Sequence, residues 1–550
     1  MSTCILNIRE NPTIMSPTVT LIWQIAVIII AARTLGLLFK LINQPQVIGE
    51  LAAGILLGPS LLGWTAPKIS AVLFPLSSLG YLNTFSQVGI VIYMFLVGVA
   101  LNPKELKKCG HAAFLTSHVS IIAPFVLGAL LALMLYPRLS DDSVLFLGFA
   151  LFMGAAMSVT AMPILARILT DRAMLGSRLG TLAISCAAVD DITGWCILAY
   201  IVVLVRTEAA SKPAWTTLAG TIVFVFLMIY AAKPLVGRFY TAYERYGKLS
   251  EFMIALIILF VLVSALITDW LGIHLLFGAF LCGVIMPKEH KFVLYVFEKF
   301  ESVTVVLLLP LYFAFTGLRM NLRSLPGGDM WLWCTSIILV AIAGKLGGSM
   351  IAARAAGVPW KDAAAIGVLM NTRGLLELVI LNIGLDIGVI SPVLFSMMVL
   401  MTLVTTFMTS PLLRWIFPIR RLKLEMAPGP ETTEAVFKFM EKQGAAWGMR
   451  DEVAKKACYA IDEVMSAMRE LPLQSPTARM AAEFDQFKLE FEIDYEGPPL
   501  PLPEIAPSAQ MIAEPLGELA LAGFLIRQHA DEAKVTSHDG HSHVHLHFEH

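Results

Sequence analysis

The stretch Leu179-Gly-Thr-Leu-Ala-Ile-Ser-Cys-Ala-Ala-Val-Asp190-Asp191-Ile-Thr-Gly-Trp195-Cys-Ile-Leu-Ala-Tyr-Ile201 places two adjacent carboxylates in the middle of an apolar run. The run is long enough to cross a bilayer, whose hydrocarbon core takes about 20 helical residues. A charged side chain at the bilayer centre costs roughly 2.5–3.5 kcal/mol on insertion scales. Two side by side therefore call for a partner charge, a bound ion or a proton.

Composition agrees with a membrane setting. The chain has 550 residues, 57% of them hydrophobic and 15% charged, with a net charge of −1. A soluble chain averages about 25% charged residues. The seven cysteines (Cys4, Cys109, Cys186, Cys196, Cys282, Cys334, Cys458) form no CxxC pair. They read as reduced thiols, with no disulfide framework and no metal site. The first apolar run lacks the basic start and cleavage site of a signal peptide, so it reads as a retained helix.

Apolar runs predict helices near 19–39, 45–63, 80–101, 112–135, 144–169, 178–205, 214–236, 250–268, 272–287, 301–320, 330–353, 361–385 and 391–417. Thirteen spans put the termini on opposite sides. One set of loops carries 20 basic residues, among them Lys104, Lys107, Lys108, Arg238, Lys288, Lys291, Arg420 and Arg421; the other set carries seven. The basic side is expected to be cytoplasmic, which places the C-terminus inside and the N-terminal segment, 1–18, outside.

The chain also repeats itself. Tyr93-Met-Phe-Leu-Val-Gly98-Val-Ala-Leu-Asn102 matches Tyr312-Phe-Ala-Phe-Thr-Gly317-Leu-Arg-Met-Asn321. Ala53-Gly54 and Gly58-Pro59 echo Gly278-Ala279 and Gly283 to Pro287, and Gly154 to Ser158 matches Gly367 to Asn371. Corresponding spans lie seven helices apart, so the repeats have inverted topology, a design that sets the substrate site at the midplane between broken helices. Span five carries Met157-Ser-Val-Thr160-Ala-Met-Pro163, and span twelve carries Met370-Asn371-Thr-Arg373-Gly-Leu-Leu-Glu377. Pro163 removes a backbone donor and clashes with the preceding turn. Asn371, Thr372 and Gly374 are poor helix formers. Both spans are expected to unwind there.

The intramembrane ionisable residues read from the sequence are Asp190, Asp191, Lys345, Arg373 and Glu377. Arg373 and Glu377 lie four apart, share a helix face, and form a candidate structural or gating pair. Lys345, among small residues, needs a carboxylate, and the aspartate pair supplies one. Successive helical residues point about 100° apart, so one aspartate faces Lys345 while the other faces a cavity. Two adjacent carboxylates resist double ionisation. Such a group takes a proton or a bare monovalent cation, with Thr160 and Asn371 as candidate oxygen ligands.

Three segments carry a family resemblance: Pro45-Gln-Val-Ile-Gly-Glu50-Leu-Ala-Ala-Gly-Ile-Leu-Leu-Gly-Pro59, Ala188-Val-Asp-Asp-Ile-Thr-Gly-Trp195 and Asn371-Thr-Arg-Gly-Leu-Leu-Glu-Leu-Val-Ile-Leu-Asn382. They resemble the monovalent cation:proton antiporter-2 family over residues 17–420. The resemblance implies an α-helical polytopic membrane protein with 13 transmembrane helices, inverted repeats with broken crossing helices, and a core domain moving against a dimerisation domain in an elevator-like cycle. It implies Asp191 as the main cation and proton carboxylate, and Asp190 paired with Lys345.

Residues 428–550 read as a small cytoplasmic α/β domain behind the linker Ala427-Pro-Gly-Pro430. Helical patterning runs to Arg469, a strand pattern covers 487–495, and a hairpin turns at Asp539-Gly540. Segments Ala457 to Leu471 and Leu519 to Glu532 resemble the histidine-kinase-type ATPase fold of anti-sigma factors. The family's nucleotide-binding asparagine falls at Ala467 and no DxGxG loop follows, so a regulatory module is expected rather than an ATPase, and no cofactor. His541, His543, His545 and His547 alternate on one strand face; such a run can bind a transition metal, but it reads rather as an exposed polar face, because no carboxylate or cysteine with ligand spacing accompanies them.

The sequence thus predicts a non-enzymatic exchanger of Na⁺ or K⁺ against H⁺ in the cell (inner) membrane, homodimeric, surrounded by lipid and without a nucleic-acid partner. A ligand-gated potassium efflux system and a receptor signalling through the tail are the alternatives.

Overall fold

The computed structural model describes residues 16–549 except 43, 102–110, 142–143, 173, 175–176, 210–213, 326, 419, 427–436, 439–448, 450, 474, 476, 485–487, 508–516 and 539. Most of the expected N-terminal segment and the expected linker at 427–430 lie outside the described residues. The chain divides into two compact units. One takes the chain up to Ile168 together with Thr181–Pro411, the other Leu169–Gly180 together with Leu412 onward.

The first unit is helical. Its elements are α1 (Pro17–Leu41), α2 (Gln46–Leu57), α3 (Leu76–Ala100), α4 (His111–Leu139), α5 (Phe146–Ser158), α6 (Met162–Asp171), α7 (Arg178–Ala209), α8 (Ala214–Leu227), α9 (Lys233–Tyr246), α10 (Glu251–Trp270), α11 (Leu275–Ile285), α12 (His290–Val303), α13 (Leu309–Arg319), α14 (Gly328–Ile342), α15 (Gly348–Ala355), α16 (Trp360–Met370), α17 (Leu375–Asp386) and α18 (Pro392–Ile416). Among the described residues, eleven helices are long and apolar enough to cross a membrane. Two of the thirteen expected spans fall short of that measure. The span expected at 272–287 is the 11-residue helix α11. The span expected at 301–320 belongs to a helix that begins with the charged α12, passes a π-helical turn at Thr304–Leu308 and ends with α13.

Both expected interruptions are present. Helix α5 stops at Ser158, Val159 is extended, and α6 begins at Met162. Helix α16 stops at Met370, and α17 starts after Gly374. The cause differs from the expectation at one residue. Pro163 is not where the helix breaks; it occupies the first turn of α6, where a missing backbone donor costs nothing. The break lies upstream, at 159–161.

Glycines set the close helix crossings. A Cβ on Gly54 of α2 would overlap the Ala314 carbonyl of α13, and one on Gly317 of α13 would overlap the Leu51 carbonyl of α2. Helices α3 and α11 cross the same way, with Gly98 against the Phe280 carbonyl and Gly283 against that of Phe95. Gly49 of α2 lies against the Leu35 carbonyl of α1, as Gly278 of α11 lies against the Ser264 carbonyl of α10. Such backbone-to-backbone approach is how helices without a hydrophobic driving force gain packing in lipid. The Lys288 ammonium then closes the α3–α11 crossing. It donates to the carbonyls of Gly98 (2.8 Å), Val99 (3.0 Å) and Gly283 (2.9 Å), in the last turns of the two helices.

The second unit contains a five-stranded, fully antiparallel sheet of order β1-β2-β3-β5-β4: β1 (Arg420–Met426), β2 (Ala478–Phe484), β3 (Lys488–Glu496), β4 (Glu532–His538) and β5 (His541–Glu549). Helices α19 (Asp451–Glu470) and α20 (Gly517–His529) complete its core. Strands β3 and β5 alternate. Leu489, Phe491, Ile493, Val544, Leu546 and Phe548 are buried with Ile461, Val464 and Met465 of α19 and Ile526 of α20. Each such side chain stabilises the fold by about 1.5–3 kcal/mol relative to exposure. Strand β1 begins eight residues before the expected start at 428 and pairs with β2 from Arg420–Phe484 to Met426–Ala478. The expected hairpin stands, with Gly540 at φ 81° beside the turn.

Candidate ion-binding site

Helix α7 carries Asp190 and Asp191 into the middle of the first unit, where both are buried. Their surroundings differ. Asp190 Oδ2 lies 2.6 Å from Lys345 Nζ, and neither side chain is accessible to solvent. The Ser120 hydroxyl donates to the same carboxylate at 3.0 Å. The Thr160 hydroxyl lies 2.9 Å from Asp190 Oδ2 and 2.9 Å from the Met370 carbonyl, and its single proton serves one of them at a time. Lys345 sits in a π-helical turn, Ala343–Gly347, between α14 and α15. Gly344 in that turn packs against Pro124 of α4, which brings the lysine to its partners.

Asp191 has none of this. The backbone N–H of Met162, at the start of α6, donates to its carboxylate. Its Oδ1 has no hydrogen-bond partner, and among the described residues no salt bridge reaches it. Asn371 Oδ1 is likewise buried and unpaired, while its amide contacts the Met408 sulfur at 3.7 Å. Neighbours on a helix point about 100° apart, and the two aspartates accordingly have different surroundings.

The two interruptions meet. The Ala161 N–H donates to the Thr372 carbonyl at 2.9 Å. The two buried cations serve the frayed end of α5. Arg373 donates to the carbonyls of Ala156 (3.0 Å) and Met157 (2.8 Å), and Lys345 donates to that of Ser158. Three consecutive acceptors left open by the break are thus covered by positive charge, the favourable polarity at a helix C-terminus. The Arg373–Glu377 pair is present at 3.5 Å, with both side chains fully buried. Thr406 locks the same turn, accepting from the Arg373 N–H at 3.0 Å and donating to its carbonyl at 2.7 Å.

Two intramembrane ionisable residues were absent from the sequence inventory. Arg33 of α1 donates to the carbonyls of Val305 (2.9 Å) and Val306 (2.8 Å) in the π-helical turn Thr304–Leu308. Glu50 of α2 is buried. Their positions inside apolar runs were the available signal.

A profile of the family described as sodium/hydrogen exchanger, transmembrane, matches residues 26–417. Among curated proteins, the Na⁺/H⁺ antiporter NhaS4 of Synechocystis is 44% identical over 396 residues, spanning 72% of this chain and 96% of its own. Cation/H⁺ antiporter 17 of Arabidopsis thaliana is 38% identical over 421 residues, 76% of this chain. K⁺/H⁺ antiporter 1 of Saccharomyces cerevisiae is 32% identical over 413 residues, 73% of this chain. The chain spans about half the length of the plant and yeast proteins. The fold is similar to that of the sodium proton antiporter MjNhaP1 from Methanocaldococcus jannaschii, with a TM-score of 0.55 and 13% identity over 73% of this chain and 98% of that one. By this match over most of its length, the chain belongs to the sodium/hydrogen exchanger family.

Proposed function

We propose that the protein is a secondary active antiporter that exchanges a monovalent cation, Na⁺ or K⁺, for H⁺, with Asp191 as the shared carboxylate. The observation that carries this reading is the asymmetry of the pair. Lys345 neutralises Asp190, whereas Asp191 is buried with an oxygen that no protein group satisfies. A buried carboxylate is tolerated when a proton or a cation compensates it. The two compensations exclude each other on one oxygen, and if only a loaded carboxylate crosses, one ion is driven by the gradient of the other. Asn371 Oδ1 and Thr160 are the candidate additional ligands, and the Arg373–Glu377 pair holds the broken helices in register. Belonging to an exchanger family, and the antiporter names of the relatives, support the same reading.

The equivalent glycine crossings of α2 with α13 and of α11 with α3 support two inverted repeats within a 13-helix arrangement, cycling by an elevator-like movement in a homodimer. The distribution of basic residues supports an outside N-terminus and a cytoplasmic C-terminus. For the tail, the reading is a regulatory module that resembles the anti-sigma ATPase fold over Ala457 to Leu471 and Leu519 to Glu532. Ala467 stands in place of the nucleotide-binding asparagine, so its role is regulatory.

The test is proton movement in proteoliposomes on pulses of Na⁺, K⁺, Li⁺ and Rb⁺. The expected result is cation-driven proton flux that Asp191→Asn abolishes. A pulse that moves no protons, or an Asp191→Asn variant with unchanged flux, overturns the reading.

A further inference from the structure

The four alternating histidines of β5 look unaccompanied in the sequence, and the sheet gives them neighbours. Antiparallel pairing with β3 sets His541 opposite Glu496, His543 opposite Asp494, His545 opposite Glu492 and His547 opposite Glu490. A row of four imidazoles therefore runs beside a row of four carboxylates, all on the face turned away from the core helices, since Ser542, Val544, Leu546 and Phe548 between them are buried. Residues in the two rows are direct cross-strand neighbours, with Cβ atoms about 4.5–5.5 Å apart.

The hydrogen bonds fix which ring nitrogen is available. His543 Nδ1 lies 2.6 Å from Asp494 Oδ1, and His547 Nδ1 lies 3.3 Å from Glu490 Oε1. An ionised carboxylate only accepts, so the bonded Nδ1 carries the proton and Nε2 is the nitrogen left for a ligand. A carboxylate bonded to the far nitrogen of an imidazole is the usual second partner of a metal-ligating histidine. On the other side of His545 stands Lys534 of β4, but its ammonium is paired with Glu532. Glu492 is exposed opposite His545.

We propose that His543 and His545, with Glu492 on the neighbouring strand, bind a borderline divalent transition-metal ion of the Zn²⁺, Ni²⁺ or Cu²⁺ class. Two imidazole nitrogens and one carboxylate oxygen suit these ions and not Mg²⁺ or Ca²⁺, which take oxygen ligands. Among the described residues no three such groups already surround one point; the exposed Glu492 and the half-buried His545 turn toward the ion when it binds. The site lies in the second unit and does not depend on the transport reading.

The experiment titrates the full chain in detergent, its accessible thiols alkylated, with Zn²⁺ against a chromophoric chelator. We expect saturable binding of one ion per chain at micromolar zinc, undiminished by excess Ca²⁺. His545→Gln weakens it at least tenfold, and Asp494→Ala, which removes the orienting acceptor, weakens it roughly 10–100-fold. Both variants replace side chains on the solvent side of the sheet, and unchanged thermal unfolding without metal confirms their fold. No saturable binding, or equal binding by wild type and His545→Gln (an adventitious ion only), overturns the proposal.

Discussion

Lys345 Nζ lies 2.6 Å from Asp190 Oδ2 with both side chains fully buried, so each is the charge compensation of the other. Removing one partner strands the other in a low-dielectric interior, a loss of about 3–5 kcal/mol. Lys345→Met and Asp190→Asn are each expected to lower the thermal midpoint in detergent sharply. Asp190→Asn combined with Lys345→Met removes both charges and is expected to recover most of that loss. A double-mutant cycle read by thermal unfolding checks it, and additive losses would contradict a coupled pair.

Arg373 reaches two carbonyls and Glu377 with one planar guanidinium. A lysine keeps the charge but offers a single point of contact. Arg373→Lys is expected to lose at least one charged hydrogen bond, about 1.5–3 kcal/mol. The unsatisfied end of α5 then loosens the break beside Asp191. Exchange rates in proteoliposomes are expected to fall about tenfold or more while surface expression persists.

The helix crossings make a contrast among glycines. Gly54→Ala and Gly98→Ala each drive a methyl group into a backbone carbonyl that has no rotamer to change. Overpacking of this kind costs about 1–3 kcal/mol or more. Gly237, in the interior of α9, has nothing within 4 Å of the corresponding position. Gly237→Ala is expected to be neutral or to stabilise by up to about 1 kcal/mol. Comparing the three thermal midpoints tests the assignment.

Cys458 of α19 is buried in the core of the second unit, and burial pushes its thiol up to about 11 from an ordinary value of 9.0. Its thiol is thus protonated in the folded unit after the unfolded chain has begun to ionise. The associated stability is fully present below pH 9 and is lost as pH rises toward 11. Since the thiolate is the nucleophile, Cys458 is expected to resist iodoacetamide at pH 8 until the domain unfolds. Mass-spectrometric alkylation across a denaturant series and a pH series measures both.

Much of the site was readable because charge in an apolar run is expensive wherever it occurs. That rule found Asp190, Asp191, Lys345, Arg373 and Glu377 and paired Lys345 with one of the two aspartates; the family resemblance singled out Asp190. It was applied too narrowly to Arg33 and Glu50, which stand in equally apolar runs. Pro163 was located correctly but given the wrong task, since sequence alone does not distinguish a proline inside a helix from one in its first turn. Strands β1 and β2 escaped notice because their pairing partners lie more than 50 residues away or across a turn. The carboxylates beside the β5 histidines escaped for the same reason, being some 50 residues distant in the chain.

The sequence by itself determined that this is a polytopic helical protein, which residues inside it carry charge, and where two of its helices break. Hydropathy, periodicity and helix propensity are local quantities, and the bilayer makes them decisive. The tertiary structure alone decided that Lys345 and Arg373 both cover the open end of α5, and that Asp191 rather than Asp190 keeps an unsatisfied oxygen. It also decided that β3 supplies a carboxylate to each histidine of β5. Each is a meeting of groups far apart in the chain, fixed by packing and backbone hydrogen bonding.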